Sequence, residues 1–201
     1  MRRRAATGAL AALLLAASPA AHAARAGSLA FVAHMPEGVP QGAVRLVDVR
    51  AKNVCEHASL PGARCLPAAS LFAPNGRPAG FHALRWLLGT IGLAGSERVL
   101  VFGASARQAA AVGALLFLAG QRRVMILGHA PSIPPNAPPG TPRSLVSETI
   151  FTAPMRDTLL VAAPEPAPPG TIAAGPPQAR LAAFARDYQS GAQPRKLRLW
   201  P

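Results

Sequence analysis

The segment 98–127 constrains the fold of this chain most, because two apolar runs flank an alanine-rich stretch of helical composition. Arg98–Phe102 has the length and continuous apolar character of a buried strand, and 124–127 has the same character. Between them, 107–119 is rich in alanine and leucine and is followed by Gly120, a residue type that commonly terminates helices. A strand, a helix and a second strand in direct succession favour parallel pairing, with the helix crossing one face of the sheet.

The residues upstream of this segment continue the alternation of strands and helices. We predict strands at 44–49 and 64–66, a short helix at 51–57, and an amphipathic helix from the spacing of Phe81, Leu84, Leu87, Leu88 and Ile91. The sequence therefore predicts an α/β domain over 43–130, in which helices flank a small parallel sheet. In such sheets ligands bind beyond the carboxyl ends of the strands, which here is the segment 103–108.

The N-terminus has the pattern of a cleavable export signal. Arginines at 2–4 precede an apolar run at 9–17, and residues 21–23 form an A-x-A cleavage motif. The run is shorter than the roughly 20 residues that span a bilayer, which disfavours the alternative of an uncleaved membrane anchor. We therefore predict a signal peptide at 1–23. The mature protein would be periplasmic or secreted, without a membrane span, in a compartment that permits disulfides.

Proline divides the remainder of the chain into irregular segments. We predict an irregular lead-in segment at 24–42, and a proline-rich linker and C-terminal extension at 131–201. Within the extension, 147–163 can pair as a small hairpin, and 178–188 has the composition of a helix. The fold class is thus α/β with an irregular, proline-rich C-terminal extension.

Three motifs, in order along 46–127, resemble the rhodanese family of sulfurtransferases. The first is LVDVR at 46–50, which is similar to the family's strand ending in Asp-Val-Arg. The second, ASLPGARCLP at 58–67, resembles a segment of the form GHIPGAxNIP, and the third is the strand, loop and helix of 98–127. The resemblance implies a rhodanese-like fold. In that family a loop cysteine carries sulfur as a persulfide, and the loop amides cradle the sulfur and its anionic donor.

The loop departs from the family at the residue that carries the chemistry. Alignment without a gap places the sulfur-carrying cysteine on Gly103, and a glycine has no side chain that can hold a persulfide. The loop glycine of the family falls on Ala106, and its arginine falls on Gln108, with Arg107 one position early. The resemblance therefore implies a degenerate active-site loop without a catalytic residue. This loop consists of Gly103, Ala104, Ser105, Ala106, Arg107 and Gln108.

Asp48 and Arg50, at the end of the LVDVR motif, are candidates for a supporting role. In the family such residues brace the active-site loop from the neighbouring strand, and we expect the same here. The alternative is that they bind a small anion of the sulfate or thiosulfate type. Arg107, at the start of its helix, is a further candidate for holding such an anion, with a solvated arginine as the alternative.

Cys55 and Cys65 are the two cysteines of the chain, and neither aligns with the sulfur-carrying position. In an exported protein we expect them to form a structural disulfide. Two unpaired thiols, or a redox or sulfur-carrying role, are the alternatives. A thioredoxin-type role is disfavoured because the C-x-x-C spacing is absent.

The formal charge of +13 does not by itself indicate a nucleic-acid-binding protein. The arginines are dispersed along the chain, whereas a nucleic-acid groove requires them to cluster on one face. The five histidines lack metal-binding spacings, and the glycines lack a dinucleotide fingerprint. We therefore expect no metal, no cofactor and no nucleic-acid partner.

These observations favour an exported rhodanese-like protein that lacks sulfurtransfer activity. Its expected role is that of a binding or accessory module for a periplasmic redox or sulfur-related system, with an unidentified periplasmic protein or a small anion as the ligand. One alternative is a thiosulfate sulfurtransferase-like enzyme that uses Cys55 or Cys65. Another is a divergent tandem sulfurtransferase, of which 131–201 is the decayed second half.

Overall fold

The computed structural model describes residues 27–35, 42–162, 165–190 and 195–199. The predicted signal peptide at 1–23 lies outside the described residues, as does part of the lead-in segment. Within the described ranges, no helix combines the length and the apolar character needed to cross a membrane.

Five parallel strands form a sheet in the described part of the chain. They are β1 (Ser28–Val32), β2 (Val44–Asp48), β3 (Arg64–Cys65), β4 (Arg98–Phe102) and β5 (Arg123–Leu127), in the order β1-β5-β4-β2-β3. Every neighbouring pair is parallel, and β4 lies beside β5 as the strand, helix and strand succession predicts. The predicted fold class, a small parallel sheet flanked by helices, is confirmed.

The sequence analysis did not predict β1, because its residues lie within the segment assigned as an irregular lead-in. β1 pairs with β5 from Ser28 opposite Arg123 to Val32 opposite Leu127, and it buries Leu29 in the core. The run is short and is followed closely by prolines, so it lacks the flanking signals that identified the other strands. The sheet therefore extends one strand beyond the segment 43–130.

Five helices of the described residues accompany the sheet. They are α1 (Lys52–His57), α2 (Ala68–Leu71), α3 (Phe81–Gly89), α4 (Ala106–Ala119) and α5 (Pro177–Gln189). α4 begins where the Ser105 side chain accepts a hydrogen bond from the Gln108 backbone N–H at 3.2 Å, a standard N-cap. It ends at Gly120, whose φ of 120° is readily available only to glycine.

α4 is the central helix, and every residue from 109 to 119 is buried. A helix that is apolar on all sides must be covered on all sides, and the sheet covers only one. The outer side is covered by α5, which contributes Leu181 and Phe184 to the same core. Its Tyr188 packs against Phe117 with the rings tilted and their centroids 4.8 Å apart. The helix predicted at 178–188 is therefore present, and it is an integral layer of the fold.

The two faces of the sheet are covered unequally. Val47, Val101 and Ile126 point into the large core with α3, α4 and α5. Leu100 and Phe102 point to the opposite face, into a smaller apolar cluster against which Leu60 and Ile133 pack. Because loop residues help to cover that second face, the chain beyond β5 contributes to the stability of the domain.

The chain beyond β5 wraps around the molecule in a segment that we call the strap, residues 137–156. Thr141 pairs with β3, donating its N–H to the Ala63 carbonyl at 2.8 Å and accepting from the Cys65 N–H at 2.8 Å. Further along, Ser144 donates its N–H to the Thr90 carbonyl at the end of α3. The part of the predicted proline-rich linker and extension that forms the strap is therefore attached to the domain by backbone hydrogen bonds.

The strap ends at Arg156, which fixes the C-terminal end of α4. Its guanidinium donates hydrogen bonds to the Phe117 and Gln121 carbonyls and lies 3.9 Å from the Phe117 ring centroid. Burial lowers the pKa of Arg156.

The predicted hairpin at 147–163 is wrong, because this segment pairs with other parts of the chain. It contains a turn of 3-10 helix at Asp157–Leu159, after which Leu160 bridges Leu197.

Candidate functional site

A cavity of about 700 Å³ opens at the carboxyl end of β2 and β3. Its wall is formed by the residues that follow β2, the beginning of α2, and the strap from Pro142 to Leu145. We call it the cationic pocket, because Arg50, Lys52 and Arg143 line it and Glu56 is the lining carboxylate. This position, beyond the ends of parallel strands, is where ligands bind in sheets of this type.

The space beside Gly103 is filled by the Gln108 side chain. Gly103 is buried at the end of β4, and a β-carbon added there would lie 2.7 Å from Gln108 Oε1 and 2.9 Å from Val49 Cγ2. Gln108 Oε1 is held in this position by a hydrogen bond from the Ala104 N–H at 2.9 Å. The loop therefore has no room for a larger side chain at position 103 without displacement of these two neighbours.

The loop also uses its own side chains to satisfy part of its backbone. The Ala104 N–H donates to Gln108, and the Gln108 N–H donates to Ser105 Oγ. Ala104, Ser105 and Arg107 are exposed, and Arg107 is not among the residues that line the cationic pocket. Two N–H groups that could face an anion are thus occupied from within the loop.

Asp48 and Arg50 form an ion pair that braces the chain after β2, with the Asp48 carboxylate buried and Arg50 partly exposed. Arg50 Nη2 lies 2.5 Å from Asp48 Oδ2, and Arg50 Nε donates to both carboxylate oxygens. Ser59 Oγ donates to Asp48 Oδ2 at 2.7 Å, and Arg50 Nη2 also donates to the Ala58 carbonyl at 2.7 Å. The pair is bonded to the segment 58–59 on the far side of α1, and Arg50 still presents a side to the cationic pocket.

Cys55 and Cys65 are joined in a disulfide that ties α1 to β3, with Cα atoms 5.9 Å apart. This confirms the predicted structural disulfide. Both cysteines are buried, with exposed fractions of 0% and 1%, although Cys65 belongs to the floor of the cationic pocket. The chain has no further cysteine, so neither sulfur is a free thiol in this structure.

The strap covers the disulfide at Gly140. A β-carbon at this residue would lie 2.5 Å from Cys55 Sγ and 2.7 Å from Cys65 Sγ, which is closer than real β-carbons approach. The Gly140 N–H donates to the Cys55 carbonyl at 2.9 Å. Only glycine allows this close approach of the strap to the two sulfurs.

Sequence reasoning missed several residues of this pocket. Lys52 and Glu56 follow Arg50 closely and could have been found from its position, because α1 begins directly after the motif. Arg143 and Leu145 could not, because they reach the pocket only through the path of the strap. Arg143 stacks over the exposed Trp86 at 5.5 Å from the ring centroid, and its buried Nη1 has no hydrogen-bond partner among the described residues.

Among the described residues, no group of three histidine, cysteine, aspartate or glutamate side chains is placed to hold a metal ion.

The chain matches no protein-family model. No curated protein matches its sequence.

Among solved structures, the crystal structure of YnjE, a rhodanese-like sulfurtransferase, is similar to 62% of this chain at 19% identity, with a TM-score of 0.50. The similar region is 32% of the YnjE chain. The wild-type structure of EanB matches 63% of this chain and 35% of its own, at 17% identity and a TM-score of 0.49. This chain therefore spans about a third of the length of the structures that it matches. The similarity to YnjE, together with the parallel sheet, shows that the fold is rhodanese-like.

Proposed function

We propose that this chain is an exported rhodanese-like binding module that lacks sulfurtransfer activity and serves a periplasmic redox or sulfur-related system. The proposal rests on the fold, on the occupied loop at Gly103 and on the open cationic pocket beside it. The observation that carries it is the Gln108 side chain, which fills the space where a residue with a side chain at position 103 would need to stand.

The proposed lack of persulfide chemistry is supported by two features of the chain: the residue at position 103 and the state of the two cysteines. Gly103 supplies no sulfur where the family resemblance places the nucleophile. Cys55 and Cys65 are consumed in a buried disulfide, and a disulfide sulfur is not a thiolate that could take sulfur from a donor. A thiolate would form only after a reductant opens that bond.

Binding is supported by the cationic pocket, which is open, whereas the space beside Gly103 is filled by the Gln108 side chain. The cavity of about 700 Å³ is lined by three cationic side chains and one carboxylate, which are those of Arg50, Lys52, Arg143 and Glu56. Asp48 neutralises much of the charge of Arg50, so Lys52 and Arg143 are the cations most available to a ligand. The ligand class that this arrangement favours is a small anion, of the sulfate or thiosulfate type, or an acidic group of a partner protein.

Export is supported by the sequence pattern of 1–23 and by the disulfide. Disulfides persist in the periplasm and outside the cell, whereas cytosolic reductants keep most thiols reduced. A fusion of residues 1–30 to alkaline phosphatase tests this part, because the phosphatase becomes active only when it is exported. An inactive fusion that accumulates in the cytoplasm would contradict the proposed localisation.

The direct test of inactivity is a sulfurtransfer assay. The chain from residue 24 onward, incubated with thiosulfate and cyanide, is expected to form thiocyanate at the uncatalysed rate. Turnover above that rate would overturn the proposal.

The second candidate function is a sulfurtransferase that uses Cys65, and it is favoured by the position of this cysteine in the floor of the pocket. If turnover is seen, Cys65→Ala and Cys55→Ala separate the two cysteines. Loss of turnover in Cys65→Ala alone, with a normal unfolding temperature in the presence of reductant, would assign the sulfur-carrying role to Cys65. We expect neither variant to differ from the parent chain in this assay.

A further inference from the structure

A second cavity, of about 390 Å³, adjoins the cationic pocket. The two share Ala68, Ala69 and Gln108 as lining residues, so they form one groove that crosses the beginning of α2. The second cavity continues past Phe72 and Pro74 towards Gln178, at the start of α5. This groove is larger than a site for a single small anion, and it is elongated, with one cavity at each end.

The two ends of the groove differ in charge. The cationic end carries Lys52 and Arg143, with Arg50 behind them. None of the described residues that line the second cavity is charged. Beyond the shared residues, its wall is formed by Phe72, Ala73, Pro74, Ala111 and Gln178. A complementary ligand is therefore negative at one end and uncharged at the other.

Polar groups along the groove distinguish a peptide from a lipid-like acid. Ser70, Gln108 and Gln178 contribute a hydroxyl and two amides to the lining. Gln108 Oε1 accepts from Ala104, whereas its Nε2 donates to no acceptor among the described residues. An acyl chain would bury these groups without a partner, which is unfavourable. A peptide backbone offers a carbonyl and an N–H at each residue and can bond to all three.

The rim of the cationic end supplies exposed apolar surface. Leu145 lines the pocket and is 89% exposed, and the next residue, Val146, is 69% exposed. Both belong to the strap, and Trp86 lies under Arg143 of the same segment. Exposed large apolar side chains beside a groove are typical of surfaces that bind another protein.

We propose that this groove binds an extended segment of a partner protein, with acidic residues at the cationic end and small apolar residues beyond them. The inference rests on the proposed binding function and names the ligand class of that same site. The carboxylates pair with Lys52 and Arg143, the backbone bonds to Gln108 and Gln178, and small side chains pack on Ala68, Ala69 and Phe72.

The test is selection from a displayed library of random dodecapeptides on the purified chain, followed by fluorescence anisotropy with the selected peptides. We expect the selected peptides to carry an acidic cluster next to small apolar residues. Binding should weaken about tenfold in the double variant Lys52→Gln/Arg143→Gln, because two surface charge pairs are lost. It should also be lost in Ala69→Glu, which adds a bulky anion in the middle of the groove.

Arg186→Gln is the matched control, because Arg186 is an exposed arginine on α5 that does not line the groove. It should bind the selected peptides as the parent chain does. The inference is overturned if no acidic peptide is selected, or if the selected peptides bind the groove variants and the parent equally. Saturable binding of a fatty acid, lost in Ala69→Glu, with no peptide selected would assign the groove to an amphiphile and overturn it as well.

The two proposals fail separately. Peptide selection has no bearing on thiocyanate formation, so a failed selection without turnover overturns only the peptide assignment. Turnover in the sulfurtransfer assay overturns the inactive function, whatever the peptides show.

Discussion

The Gln108 side chain stands beside Gly103, with its Oε1 atom 2.7 Å from the place that a β-carbon of residue 103 would occupy. The same oxygen accepts the Ala104 N–H, so the side chain is fixed in the loop by a hydrogen bond. Gly103 directly follows the last residue of β4, Phe102, and so lies at the carboxyl edge of the sheet. The glycine and the glutamine therefore depend on each other, because the glutamine can lie there only while position 103 lacks a side chain.

The first prediction concerns this pair. Gly103→Ala should lower the free energy of unfolding by about 1–3 kcal/mol, because the new methyl group meets Gln108 and Val49 in a packed interior. Gln108→Ala should lower it by about 1 kcal/mol through loss of the hydrogen bond to Ala104. The measurement is urea unfolding of both single variants and the double variant.

In this double-mutant cycle the double variant should lose less stability than the two single variants together. Removal of the Gln108 side chain makes room for the new methyl group, and residues in contact are coupled. Strictly additive losses would contradict the contact between these two residues.

The second prediction concerns the contact between the strap and the disulfide. Gly140→Ala places a β-carbon against both sulfurs and the Cys55 carbonyl, so we expect a loss of about 1–3 kcal/mol and faster proteolysis within 137–149. Gly128→Ala is the matched control, because the nearest atom to a β-carbon added there, Val32 O, lies at 3.5 Å, which is an ordinary van der Waals contact. Equal stability of the two variants would show that the strap does not lie on the disulfide.

The third prediction concerns reduction of the disulfide. The disulfide closes a short loop between residues separated by 10 positions, and the loss of chain entropy in the unfolded state gives about 2–3 kcal/mol of stabilisation. Unfolding in urea with and without dithiothreitol should show that difference. The Cys55→Ser/Cys65→Ser variant should match the reduced parent chain and should be insensitive to reductant. An unchanged midpoint under reducing conditions, with thiols verified by alkylation, would be contrary to the account.

The fourth prediction concerns pH. His129 Nδ1 lies 2.9 Å from the Ala130 carbonyl, and Nε2 lies 2.7 Å from the Ala33 carbonyl. Only the protonated ring can donate from both nitrogens, so these carbonyls raise the pKa of His129 above 6.5. A raised pKa in the folded state stabilises it fully below about pH 6.5, and this stabilisation is lost as the pH rises through the raised value.

Urea midpoints measured from pH 5 to pH 9 should therefore fall across that window in the parent chain. His129→Gln should flatten the decrease, since it removes the titrating ring that joins the segment after β5 to Ala33, the residue after β1. His82→Gln, at an exposed site on α3, should leave the decrease unchanged. A decrease that is the same in all three chains would rule out His129 as its source.

The parts of the fold that sequence reasoning predicted are those with local signals. β4, α4 and β5 were predicted because each is a long apolar run with a clear period and a terminating residue. α5 was predicted from its composition, but its place on α4 was not, because that contact joins residues far apart in the sequence. β1 was missed because its short run lies close to prolines.

The strap is the clearest limit of prediction. Its prolines indicate an irregular chain, and residues 137–156 contain no helix and no named strand. Nothing local in the sequence specifies where this segment lies. Its position depends on non-local contacts, such as Gly140 against the disulfide and Arg156 against Phe117. The candidate site has the same limit. Gly103 could be identified from its position in the motif. The position of the Gln108 side chain beside it, and the presence of Arg143 in the pocket lining, required the structure.

The most direct test of the central claim is intact-mass spectrometry of the chain from residue 24 onward, after incubation with thiosulfate and without reductant. The account predicts a single species with the mass of the chain in which Cys55 and Cys65 are joined, and with no added sulfur atom. A species heavier by one sulfur atom, mapped by digestion to either cysteine, would contradict it.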